Sequence, residues 1–218
     1  FRAETVDHGT LVSKMTDVPR GKGYSVDLLD GRIRINLIAR WLDDSIRVRS
    51  ANTVTAGRWH HLAVTYDGSR VAAGLTLHID GQPAKLIVDH DFINQTFDAD
   101  EPLRLGAGGG NSGHFAGLLD DVRIYPRQLN ATEISILAIP QSITQLLGIA
   151  IDKRTPGQAA KIRAYYVAQH ATPAHRRSVA RHAALVHEVQ SFADSIPTVM
   201  VMQELETPRT TRLLLRGQ

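Results

Sequence analysis

The chain contains no cysteine, which excludes disulfides, thiolate metal sites and cysteine nucleophiles together. Aromatic residues supply only 6% of its 218 positions. No apolar run reaches the roughly 18–20 residues that a membrane-spanning helix needs. No Lys/Arg run interleaved with aromatics is present, so nucleic acid is not a partner the sequence points to. There is no Gly-x-Ser-x-Gly and no catalytic triad order. The run from Gly106 to Gly110 lacks a following Gly-Lys-Ser/Thr and is not a phosphate loop. Glutamate is scarce: residues 1–139 hold only Glu4, Glu101 and Glu133, none suitably placed in a strand-like stretch.

What is present divides by charge. Residues 1–139 carry 15 Lys+Arg and 17 Asp+Glu, a balance of −2, while residues 140–218 carry 10 and 5, a balance of +5. The change of sign suggests two units with different surfaces. Phe1 opens in strand-like sequence without a methionine or signal peptide, and the chain stops at Gln218 in similar sequence. We therefore expect a piece of a longer protein.

The stretch around which the rest is organised is 58–68, Arg-Trp-His-His-Leu-Ala-Val-Thr-Tyr-Asp-Gly. Leu62, Val64 and Tyr66 share one face of a strand, and His61, Ala63 and Thr65 share the other. Asp67-Gly68 supplies turn chemistry. We expect this strand to pair with a second block, residues 115–125, with Leu62, Val64, Leu77, Ile79, Val122 and Ile124 in the core. Further strands read at 9–15, 22–29, 32–39, 45–50, 75–80 and 103–106, with 82–89 as the return partner of 75–80. Asp30-Gly31 signals a hairpin. Many short strands with regular turns imply an antiparallel β-sandwich. A capping box at Asn130-Ala-Thr-Glu133 opens a short helix through about Ala138. After Pro140 the period changes. Thr155-Pro156 and Thr172-Pro173 each start a helix, and Val179, Ala183, Val186, Val189, Ala193 and Ile196 step by 3 or 4 along the second. The expectation is a helical hairpin closed by Pro197, with Val186→Asp destabilising it. Strand-like sequence follows at 198–202 and 212–215.

Trp59-His-His-Leu-Ala-Val-Thr-Tyr-Asp-Gly68, Leu77-His-Ile-Asp-Gly81, Leu103-Arg-Leu-Gly106 and Leu119-Asp-Asp-Val-Arg-Ile-Tyr125 together resemble the concanavalin A-like sandwich (jelly roll) of the LamG superfamily. The segment from Leu129 to Ile134 resembles the short helix after the last such strand. The tail, 197–205 with 208–217, resembles the start of a domain of unknown function in large planctomycete-type secreted proteins. Those resemble assemblies of a c-type cytochrome domain, a LamG-like insert and two uncharacterised domains. A Cys-x-x-Cys-His is absent, so no haem is expected in this piece. The resemblance implies a sandwich over 1–138 with its first strand truncated, a helical hairpin linker over 139–197, and the start of a further domain over 198–218. It also implies a secreted or periplasmic setting and a non-catalytic module that binds carbohydrate or protein. The alternatives are a glycan-active enzyme of the glucanase type and a purely structural spacer.

Three sets of residues bear on a site. Ile33, Ile35, Ile46 and Val48 face the core, which turns Arg32, Arg34, Arg47 and Arg49 outward. With Trp41 at the hairpin, Arg34, Arg47 and Arg49 would form a groove for an anionic glycan, because guanidinium forks match sulfate and carboxylate. The bland reading is a solvated face in which Asp43, Asp44 or Asp27 relieves the arginine repulsion. Asp120 and Asp121 are the metal candidates, since LamG-like domains that they resemble use an aspartate near this strand for calcium, which takes about six to eight oxygens. His60 and His61 point to opposite faces and cannot share an ion; they are expected to pack. His182 and His187 miss the helical i,i+4 spacing of a metal pair.

Overall fold

The computed structural model describes residues 1–109 and 113–196. The sequence expectations at Pro197, for strands at 198–202 and 212–215 and for a domain beginning at 198 lie outside the described residues. The chain divides into two compact units, Phe1–Ala171 and Thr172–Gln218.

The first unit is an antiparallel sandwich followed by helices. Its strands are β1 (Arg2–Ala3), β2 (His8–Met15), β3 (Gly23–Leu29), β4 (Arg32–Arg40), β5 (Asp44–Ser50), β6 (Leu62–Tyr66), β7 (Leu75–Ile79), β8 (Gln82–Pro83), β9 (Leu86–Phe92), β10 (Arg104–Leu105) and β11 (Gly117–Leu118). One sheet has six strands in the order β10-β2-β3-β4-β5-β9, a second has the order β6-β7-β8, and β1 pairs with β11. Alternation decides the faces. Ile33, Ile35 and Leu37 of β4, Ile46 and Val48 of β5, Leu28 of β3 and Leu77 of β7 are all buried in one apolar core. Leu62, Val64, Tyr66 and Ile79 pack against that core from the second sheet, as their period of two requires.

Two Asp-Gly pairs turn the hairpins. Asp30 and Gly31 have φ of 49° and 72°, and Asp80 and Gly81 have 52° and 77°. Both central residues at positive φ match the right-handed twist of the strands they join.

Three expectations change. The 58–66 strand begins only at Leu62. The return of β7 is just Gln82–Pro83; Leu86–Phe92 crosses to β5 in the other sheet. Pro83 lies opposite His78 and has no amide to extend that ladder. Block 115–125 contributes only Gly117–Leu118, paired with β1 and not with β6. Val122 and Ile124 are therefore exposed, at 44% and 65%, and not in the core. The local cause is visible. Asp121 takes a left-handed φ of 50°, and Arg123 folds back to hold both of its carboxylate oxygens at 2.6 and 2.9 Å. An inter-sheet space of about 610 Å³, lined by Leu11, Val26, Leu62, Val64 and the 119–129 segment, remains beside it.

Helix α1 (Ala131–Leu137) carries the expected capping box of Asn130 and Glu133. Helix α2 (Ile143–Leu147), unanticipated, has a second one from Ser142 and Gln145. Helix α3 (Pro156–Gln169) starts at the Thr155 cap with Pro156 in its first turn. Ile134 of α1 and Leu146 of α2 are fully buried, at 1% and 0%. In the second unit, α4 (Pro173–Ser195) starts at the Thr172 cap. Its apolar stripe is exposed at Val179, Val186, Val189 and Ile196. An aspartate at 186 would thus meet water, and the destabilisation expected there loses its basis. Among the described residues no helix is long and apolar enough to cross a membrane.

Candidate functional site: a groove on the outer face of the six-stranded sheet

The face of the large sheet that points away from the core is built in cross-strand rows. Thr10, Asp27, Arg34, Arg49 and Ile87 lie opposite one another in one row. Ser13, Ser25, Asn36, Arg47 and His90 form the next, and Met15, Gly23, Ile38, Ser45 and Phe92 the third. The face therefore grades from charged to polar to apolar. The sequence-predicted trio Arg34, Arg47 and Arg49 is brought onto this one face. Arg34 and Arg49 are directly opposite, the like-charge placement that costs energy without a counter-ion.

The counter-charges are now identifiable. Arg49 donates from Nε to Asp89 at 3.0 Å. Asp43 pairs with Arg40 instead. Asp44 is buried and accepts from the Asn94 amide at 2.7 Å. Asp27 is the neighbour of Arg34. Its carboxylate accepts from Thr10 Oγ1 at 2.8 Å, Ser25 Oγ at 2.9 Å and Asn36 Nδ2 at 2.7 Å. Burial pushes the Asp27 carboxyl above the usual range, and the Thr10, Ser25 and Asn36 donors and the Arg34 charge offset this only in part.

Trp41, at the β4–β5 hairpin, gathers two guanidiniums. Arg47 lies 4.4 Å and Arg20 4.9 Å from its ring centre, within cation–π range. Arg47 Nε is buried with no hydrogen-bond partner. A groove of about 190 Å³ runs here, lined by His8, Arg20, Asp27, Arg34, Asn36 and Trp41 among others. Gly108, Gly109 and Gly113 close one side. Gly109 abuts the Thr16 and Val18 carbonyls so closely that a Cβ would fall 2.4 and 2.7 Å from them. Arg20 and Asn36 were not singled out by sequence. Asn36 shares the phase of Arg34, which could have revealed it. Arg20 sits in a turn at φ 61°, where no periodicity points.

The other candidates lie elsewhere. Asp120 and Asp121 are both exposed. Asp120 Oδ1 accepts the Asp121 amide at 2.8 Å, and Asp121 is held by Arg123. Among the described residues no three His, Cys, Asp or Glu side chains are grouped to hold a metal ion. With one carboxylate occupied by Arg123, these residues do not fit the oxygen-rich shell that calcium takes. His60 is buried, with Nδ1 3.0 Å from Asp80 and Nε2 3.2 Å from the Thr55 carbonyl. Asp80 also accepts from Arg58 at 2.8 Å and from the His61 amide at 2.9 Å. Burial raises the Asp80 carboxyl, but the His61 amide, the His60 ring and Arg58 outweigh it and hold it below the usual range. This cluster ties the start of β6 to the β7–β8 turn.

Comparison with known proteins places the fold. A solved structure of an S-layer domain-containing protein (residues 221–444) from Clostridium thermocellum ATCC 27405 is similar at 20% identity, with a TM-score of 0.32. The similarity covers 64% of this chain and 66% of that one. No curated protein matches. The family profile Laminin_G_3, described as the concanavalin A-like lectin/glucanases superfamily, matches residues 2–135. That is more than half of the chain, and the protein belongs to the concanavalin A-like lectin/glucanases superfamily.

Proposed function

We propose that this protein is a non-catalytic module that binds an acidic glycan at the groove on the outer face of its six-stranded sheet, with Arg34, Arg47 and Trp41 as contacts. The observation that carries this reading is Arg47. Its guanidinium is spread on the Trp41 ring with Nε buried and unpartnered, beside the groove that holds Arg34 and Arg20. A buried donor without a partner costs about 1–3 kcal/mol, and the terminal nitrogens of the same guanidinium, beside the groove, are what a sulfate or carboxylate fork would meet. Arg49, already paired with Asp89, acts at the rim. Asp27 is the one carboxylate among the residues lining the groove. Glycoside hydrolysis by a carboxylate pair needs two, so the lining supports binding over hydrolysis. In this reading the module belongs to a larger extracytoplasmic protein, in which the helices after the sandwich lead to a domain beginning at 198.

The test is affinity for sulfated and neutral oligosaccharides across a salt series. We expect the sulfated chain to bind more tightly, with affinity falling as salt rises. Arg34→Ala with Arg47→Ala should weaken it by at least about tenfold, corresponding to the ~1.4 kcal/mol of one charge-assisted contact. Equal binding of both sugars, or an unaffected double variant, would reject the groove.

A further inference from the structure

We propose that Asp27 is the specificity-determining residue of this groove, acting as an acid-operated gate: ionised, it repels acidic groups; protonated, it admits them. The inference rests on the glycan-binding reading above and adds its regulation. Asp27 lies on the floor of the groove, opposite Arg34 on one side and Thr10 on the other. The Arg34 guanidinium attracts it without a hydrogen bond between them, so the pair is not a closed fork and Arg34 keeps its donors for a ligand. A carboxylate one strand away from Arg34 cancels much of the potential that an incoming sulfate or uronate would feel. Neutralising it leaves Arg34, Arg20 and Arg47 unopposed at the groove, since Asp89 and Asp43 are committed to Arg49 and Arg40.

The surroundings of Asp27 make protonation accessible. Burial raises its carboxyl, and the donors from Thr10, Ser25 and Asn36 and the Arg34 charge, which all favour the ionised form, offset that only in part. The groups facing it are few. Among the described residues, from β2 come Thr10 and His8, from its own strand Ser25, from β4 Arg34 and Asn36, from the 16–20 turn Arg20, and from Gly108, Gly109 and Gly113 no charge. Two of these three ionisable neighbours are arginines, which do not titrate in the relevant range. His8, exposed at the groove edge, is the remaining ionisable neighbour, so the test must separate the two.

The experiment is calorimetric binding of a heparin-derived hexasaccharide at fixed low salt, from about pH 7.5 down through the usual carboxyl range to about pH 3.5. Wild type is expected to gain about five- to tenfold in affinity as pH falls, the size of removing one like charge at a partly solvated site. Asp27→Asn should bind at high pH as tightly as wild type does at low pH, and its profile should be nearly flat. His8→Gln should keep most of the pH response. A carbon NMR titration of the free protein reads the same group without ligand, and its Asp27 midpoint should lie above the usual carboxyl value of about 3.9. The gate is overturned if Asp27→Asn keeps the wild-type profile, if the response vanishes in His8→Gln instead, or if the Asp27 midpoint is ordinary. Binding that is tight but independent of pH rejects the gate and leaves the groove standing. A wild type that binds no hexasaccharide at any pH rejects both.

Discussion

His78 shows what a single side chain in this sandwich is asked to do. It is 7% exposed on the face of β7 turned away from the core, and its Nδ1 has no hydrogen-bond partner. Burial lowers its ring pKa, because a charged imidazolium would be desolvated there. His61, close by just before β6, is also lowered, by burial first, against the opposing pull of Asp80 and Asp121. The sign follows from linkage. The folded state holds these protons less tightly than the unfolded state, so stability present above the ordinary histidine value of about 6.5 is lost as pH falls below it. Thermal melts between about pH 7.5 and about pH 5 should therefore show a falling melting temperature in wild type and a shallower fall in His78→Gln. An unchanged slope in the variant would remove His78 from the account of acid sensitivity.

Elements follow from local chemistry here where that chemistry is local. The Asp80-Gly81 turn demands positive φ at both residues, and Gly81 also sits under α1, where an added Cβ would lie 2.9 Å from Ala138 Cβ. Gly81→Ala is expected to cost about 1–3 kcal/mol, combining left-handed strain with that collision. A chemical denaturation midpoint equal to wild type would show that the helix moves aside freely. The caps at Asn130, Thr155 and Thr172 and the outward phase of Arg34, Arg47 and Arg49 were legible for the same local reason: each is a spacing of three or two residues. Partner choice was not. A period of two says which residues share a face, and it is the same for a strand that returns to β7 and one that crosses to β5. The alternation of residues 119–125 likewise could not reveal that Asp121 turns left-handed and that Arg123 clamps it. Asp27 was visible only as one of three possible counter-charges, because its depth depends on donors from β2 and β4 that sequence does not bring together.

At the scale of the whole molecule, the question is where the folding unit of the sandwich ends. The compact unit runs to Ala171, beyond the boundary at 138 that the change of period suggests. The cause lies in what covers the first helices. Ile134 and Leu146 are fully buried. Lys161 of α3 reaches back to donate to the Ile139 and Gln141 carbonyls, at 2.5 and 2.9 Å. Gly157 at the start of α3 lies against α1 and against Ile139 just beyond it, where an added Cβ would stand 3.1 Å from the Ile139 side chain. Thus α1, α2 and α3 bury one small apolar centre between them, attached to the sandwich through Gly81. Cutting the chain after 138 uncovers Ile134 and deletes Leu146, a loss of about 2–5 kcal/mol by the measure of large core truncations. For a chain of this size each kcal/mol moves the melting temperature by about 2–4 °C. Residues 1–171 should consequently melt about 5–15 °C above residues 1–138, with the sandwich signal in circular dichroism alike for both. Equal melting temperatures would mean that α2 and α3 do not stabilise the sandwich, and the boundary would return to the end of α1.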